Sequence, residues 1–139
     1  GQLTPGEFAD AVRRQVTERG VALVVIDSLT GYLSAMGNAR LLMTQLHDLL
    51  QYLSAHGVLT LLVVAQHGVL GSALGGPVDA SYLADAVLVL RHFEADGVVR
   101  KAVSVFKKRY GAHESHIREL TIGAPDGVRV GAPLRGFRG

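Results

Sequence analysis

Two segments of this chain carry residue types suited to a metal ion and to phosphate. Residues 22–28 read A-L-V-V-I-D-S, an apolar run that ends on an acid. In open parallel sheets ligands sit beyond the carboxyl ends of strands, which is where such a run would deliver Asp27. A carboxylate there can hold magnesium directly or through water, because that ion keeps several of its waters. Residues 106–114 read F-K-K-R-Y-G-A-H-E, a cationic cluster. On strand geometry Lys107 and Arg109 share one face and Lys108 takes the other. Tyr110-Gly111-Ala112 then turns the chain, which lets His113 return toward the same phosphate. Lysine brings a point charge and arginine a planar fork, and together they suit a polyphosphate. The loop that would cradle the phosphates is missing: the chain has no G-x-x-x-x-G-K-[ST] segment and no Gly-Lys pair.

Each segment also has a purely structural reading. Asp27 can be a turn former, and Ser28 the N-cap of whatever follows. The lysines at 107 and 108 can protect an edge strand from pairing with other chains. Gln66-His67 ends a second apolar run, where a polar side chain can sense a γ-phosphate or position water, or simply form a turn. His47, His56, His92 and His116 are too scattered for a metal-ligand spacing. With no cysteine, disulfides and thiolate zinc sites are unavailable.

The elements that must position these residues are legible in outline. Thr4-Pro5-Gly6-Glu7 predicts a helix start with Thr4 as N-cap and Glu7 closing a capping box; Gly20 ends the helix. Val21–Ile26 is short and uniformly apolar, which predicts a strand buried on both faces. Residues 39–55 place Leu42, Leu46, Leu49 and Leu53 at helical spacing, with Gly57 beyond the end. Val58–Ala65 predicts a second buried strand. Residues 68–77, with four Gly and one Pro, predict a loop, after which Asp79 can cap a short helix through Leu83. Ala86–Phe93 and Val98–Lys107 flank Asp96-Gly97, a hairpin signal; Ile117–Ile122 and Val128–Val130 flank Asp126-Gly127. Alternating strands and helices followed by hairpins predict an α/β fold.

Composition bounds the rest. The chain has 139 residues, 48% hydrophobic and 19% charged, which fits one globular domain burying about two thirds of its unfolded surface. No apolar run approaches the ~20 residues needed to span a bilayer. Nothing at Gly1–Pro5 resembles a secretory signal, so a cytoplasmic location is expected. Residues 1–90 carry four Lys/Arg against seven Asp/Glu, whereas residues 91–139 carry ten against five. A basic C-terminal third suits an anionic partner, or else is a solvated face.

Taken in order, these segments resemble the KaiC family within the RecA-like P-loop ATPases. The likeness rests on V-V-I-D-S-L-T (24–30), V-A-Q-H-G (64–68), S-Y-L-A-D-A-V-L-V-L-R-H-F-E (81–94), V-F-K-K-R-Y-G-A-H-E (105–114), I-R-E-L (117–120) and the ending V-R-V-G-A-P-L-R-G-F-R-G (128–139). It implies a partial RecA-like fold of three layers, with a mostly parallel sheet and antiparallel strands at the C-terminus. It also implies that residues 1–139 are the C-terminal portion of one ATPase domain, from the Walker B strand onward. The phosphate loop and catalytic glutamates precede that strand in the family.

Family members form rings, commonly hexamers, with ATP and magnesium between subunits. The resemblance assigns Asp27 to magnesium and Ser28 to the nucleotide. It assigns Lys107, Arg109 and His113 to the neighbour's ATP, in the manner of a trans-acting arginine finger. It makes Gln66 a candidate phosphate sensor. The clock protein of the family autophosphorylates on adjacent Ser and Thr; those positions become Ser81 and Tyr82 here, so only Ser81 is retained. Tyr110 departs from the small residue frequent at its position. The parent is expected to hydrolyse ATP, and this chain alone to be inactive and to hold no cofactor. Losing the phosphate-loop strand leaves a gap between the second and third strands, to be closed by rearrangement or covered by dimerisation through sheet edges. Two other functions remain open. One is a recombinase-like nucleic-acid module, disfavoured because loop 68–77 has no Lys, Arg or aromatic residue. The other is a non-catalytic oligomerisation domain.

Overall fold

The computed structural model of the chain describes residues 3–34, 39–64 and 81–136. The chain divides into two compact units, residues 1–78 and 79–139. The expected loop 68–77, the Asp79 cap and Gln66-His67 lie outside the described residues. No helix among those described is long and apolar enough to cross a membrane.

The first unit begins with α1, Pro5–Arg19, whose start follows from its sequence. Thr4 Oγ1 accepts the Glu7 N–H at 3.2 Å, and the Glu7 carboxylate accepts the Thr4 N–H at 2.7 Å. This reciprocal pair satisfies two donors that a helix end otherwise leaves open. Gly20, at φ 63°, closes the helix by donating its N–H to the Val16 carbonyl. Then come β1 (Leu23–Asp27), α2 (Leu29–Ser34), α3 (Ala39–Ala55) and β2 (Leu59–Val63). β1 and β2 pair in parallel, from Leu23 opposite Leu59 to Asp27 opposite Val63. The leucine stripe of α3 is sealed: Leu42, Leu46, Leu49 and Leu53 are each at most 2% exposed. Leu49 and Leu53 join Ala9, Val16 and Val58 in a core against which Phe8, Val12 and Val24 pack.

That core covers one face of the strand pair. Alternation turns Val24 and Ile26 inward and sends Leu23 and Val25 outward, beside Leu59, Leu61 and Val63 of β2. These five outward residues are between 43% and 62% exposed. The expectation that both strands are buried on both faces is therefore corrected. Their uniformly apolar sequence fits two-sided burial, but among the described residues helices cover one side only.

The second unit opens with a 3-10 turn, Ser81–Leu83, and continues as an antiparallel sheet. Its strands are β3 (Ala86–Ala95), β4 (Val98–Lys108), β5 (Arg118–Gly123) and β6 (Gly127–Pro133), in that spatial order. Asp96 and Gly97 both have positive φ, 54° and 72°, as a two-residue hairpin turn with matching twist requires. Pairing runs outward from that turn until a register shift between Val87 and Leu88. Leu88 lies opposite Val105 and Val87 opposite Lys107, so Phe106 is the extra residue of a β-bulge. One sheet face collects Leu88, Leu90, Val99, Ile122, Val128 and Val130, each between 57% and 69% exposed.

The parallel pair and the C-terminal antiparallel strands give the expected α/β class. β2 pairs with β1, β3 pairs with β4, and each is an edge of its sheet. The tight Asp96-Gly97 hairpin fixes β3 to β4.

The contrast between sealed and open apolar residues is measurable by urea denaturation. Leu53→Ala, at a site with 0% exposure, is expected to cost about 2–5 kcal/mol. Leu88→Ala, at 65% exposure, should change stability by less than about 0.5 kcal/mol.

Candidate functional site

Asp27 ends β1 at the carboxyl edge of the parallel pair, on its exposed face. Ser28 follows directly and caps α2. Its Oγ accepts the Gly31 N–H at 3.2 Å, and its carbonyl accepts the Tyr32 N–H at 3.1 Å. The capping role read from the sequence is thus real. Leu29, 1% exposed, anchors the helix start. The Tyr32 ring lies 5.3 Å from that of Phe8, at 52°, and burial raises the Tyr32 phenol pKa above its usual value. A depression of about 320 Å³ opens here, with Asp27 and Ser28 as its polar side and Phe8, Val25 and Tyr32 as its apolar side.

One carboxylate beside one hydroxyl is a small donor set. It fits magnesium, which accepts one or two protein oxygens, keeps waters and takes the remainder from phosphate. The described residues contain no group of three or more His, Asp or Glu that could cage an ion unaided. Asp27 and Ser28 could hold magnesium only with oxygens from another source.

The cationic segment leaves the sheet at the end of β4. Lys107 is half-buried and Lys108 exposed, as opposite faces require. Arg109 lies one residue past the strand, and beyond the bulge at Phe106 the pairing runs on from Val87–Lys107 and Ala86–Lys108 to the Arg109 amide on Asp85. The Arg109 N–H donates to the Asp85 carbonyl at 2.7 Å. Its Nη1 lies 2.9 Å from Asp85 Oδ1, and its Nη2 donates to the Tyr82 carbonyl at 3.3 Å. Gly111, at φ 78°, lets the chain double back, and Lys108 Nζ donates to the Ala112 carbonyl at 3.4 Å. His113 Nδ1 is 3.0 Å from the Glu114 carbonyl. Only a protonated ring nitrogen can face a carbonyl in this way, so Nδ1 donates.

Among the residues named from sequence, the structure joins Asp27 with Ser28, and sets Lys107, Arg109 and His113 along one strand end and its loop. Gln66 is outside the described residues, and Ser81 opens the 3-10 turn. Sequence reasoning missed Asp85 as the partner of Arg109. Counted outward from Asp96-Gly97, the hairpin pairs Asp85 with Lys108; the bulge moves Arg109 into that place. Tyr32 was also missed, because α2 is too short to show a periodic pattern.

A second charged cluster fixes the far end of the loop. Arg118 Nε and Nη2 lie 2.8 Å and 2.7 Å from Glu114 Oε1, Arg118 Nη1 donates to the Gly131 carbonyl, and His116 Nδ1 lies 3.4 Å from the same Glu114 oxygen. The Arg118 hydrogen bond holds the Glu114 carboxyl below its usual range. A depressed carboxylate pKa contributes stability above the unfolded pKa and loses it as pH falls through the folded one. Carbon-detected NMR titration should find Glu114 ionising below ordinary glutamates, and returning toward them in Arg118→Gln.

Comparison with known proteins follows the same lines. The family model described as "ATPase: KaiC" matches residues 2–135. The circadian clock protein KaiC3 of Synechocystis sp. (strain ATCC 27184 / PCC 6803 / Kazusa) is 33% identical over 70 residues, 50% of this chain and 14% of that protein. The crystal structure of a KaiC-like protein from the hyperthermophilic archaeon Pyrococcus horikoshii OT3 superposes with a TM-score of 0.75 at 25% identity. It matches 94% of this chain and 55% of its own. This chain thus spans about half the length of that solved relative, and a smaller share of the curated one. On the match over residues 2–135, the chain belongs to the KaiC family of ATPases.

Proposed function

We propose that this chain is the Walker B-onward portion of a KaiC-like ring ATPase, and that it serves two ATP sites. On one side Asp27, with Ser28, holds the magnesium that accompanies ATP. On the other, Lys107, Arg109 and His113 reach the phosphates of ATP held by the neighbouring subunit. The observation that carries this is the family match over 2–135, within which Asp27 and the K-x-R-x-x-x-H segment both fall. The geometry supports it: Asp27 lies at a strand's carboxyl end beside a helix cap, and Arg109 stands just outside a sheet. Bound magnesium neutralises negative charge on the phosphates. Arg109 supplies further positive charge where negative charge develops during phosphoryl transfer, and His113 Nε2 offers a hydrogen-bonding group beside it.

Mixing inactive subunits tests the arrangement in the complete ATPase. Arg109→Ala and Asp27→Ala rings should each lose ATP turnover by about a thousand-fold. Mixed rings should regain part of it, because some interfaces then combine an intact Asp27 with an intact Arg109. Failure to regain any turnover would contradict action across subunits. The 139-residue chain alone is expected to show no turnover above background.

The open edges of β2 and β3 and the exposed apolar faces also lead us to propose that this chain self-associates. Sedimentation at micromolar concentration should show a dimer or larger species; a monodisperse monomer would refute it.

A further inference from the structure

Arg109 is held at three points by a short stretch of its own chain. Its N–H bonds the Asp85 carbonyl at 2.7 Å, its Nη1 lies 2.9 Å from Asp85 Oδ1, and its Nη2 donates to the Tyr82 carbonyl at 3.3 Å. Both terminal nitrogens of the guanidinium are therefore engaged. A phosphate gripped end-on by those nitrogens needs the same edge of the fork. The side chains of Arg109 and Asp85 are 45% and 63% exposed, so an anion from solvent can reach the pair. Exposed ion pairs are weak enough to exchange, whereas a buried pair would resist opening.

We propose that Asp85 is a positioning residue for Arg109. It parks the guanidinium against the Ser81–Leu83 turn when no polyphosphate is present, and yields it when one arrives. The inference rests on the phosphate-binding role proposed above for Arg109. It adds that Asp85 sets how tightly that arginine takes an anion. It also links phosphate occupancy to the 81–83 turn, because release of Arg109 removes a donor from the Tyr82 carbonyl. The bulge at Phe106 makes the arrangement possible: without it Lys108, a point charge that cannot grip two acceptors as a fork, would stand opposite Asp85.

The test is titration of the isotope-labelled chain with inorganic triphosphate, followed by NMR. In Asp85→Asn the affinity should rise about two- to five-fold, the size of an exposed ion pair. Asp85→Glu should restore wild-type affinity. In an Arg109→Gln background, Asp85→Asn should give no gain, which separates release of Arg109 from simple removal of a negative charge. The Tyr82 and Leu83 amide signals should shift on titration in the wild type. Unchanged or weaker binding in Asp85→Asn, or an equal gain without Arg109, would overturn the proposal. Should Arg109→Gln bind triphosphate as well as wild type, the phosphate role of Arg109 falls instead. The Arg109 Nε–H exchange rate then decides about Asp85: faster in Asp85→Asn sustains the clamp, and unchanged exchange overturns it.

Discussion

A β-sheet whose two faces are both apolar needs a covering layer on each, and the described part of this chain provides only part of that cover. The leucines of α3 and the apolar stripe of α1 seal one side of the β1–β2 pair. Nothing equivalent covers Leu23, Val25, Leu59, Leu61 and Val63 among the described residues. The antiparallel sheet repeats the situation with Leu88, Leu90, Val99, Ile122, Val128 and Val130. Each such side chain, about half exposed, forgoes roughly half of the ~1.5–3 kcal/mol that full burial brings. Exposed faces of this extent are uncommon on soluble monomers.

Backbone geometry places the candidate chemistry at element ends. Asp27 sits exposed where β1 stops and Ser28 begins to cap α2, so the side chain of one lies at the rim while the next secures the chain. Arg109 sits where β4 stops, tied by its own amide to the residue before β3. In both cases a rigid strand fixes the backbone and leaves the side chain at the rim. A site that binds and releases a polyphosphate needs that combination. Glu114 and Arg118 secure the far end of the cationic loop, so the segment is held at both ends with Tyr110 exposed between them.

The bulge at Phe106 has an effect beyond its size. One extra residue replaces Lys108 with Arg109 opposite Asp85. A lysine there would offer a single charge on a mobile stem; the arginine offers a planar fork that bonds a carboxylate and a carbonyl at once. Bulges often re-aim side chains beside functional sites, and this one decides which cation is held.

Local chemistry alone determined much of the architecture. The Thr4–Glu7 capping box, the Gly20 stop, the α3 leucine stripe and the Asp96-Gly97 hairpin are each specified by residues within a few positions of one another. The KaiC resemblance was legible because its motifs are short, ordered and spread over the whole chain. What sequence could not reveal depends on contacts between distant residues. Two-sided burial of β1 was the natural inference from its apolar run, yet cover depends on which layers are present, which a strand's own sequence does not record. The pairing of Asp85 with Arg109 was hidden because a bulge leaves no signature in strand periodicity. Tertiary pairing alone decided which positive charge meets that carboxylate, since register is a property of two strands together.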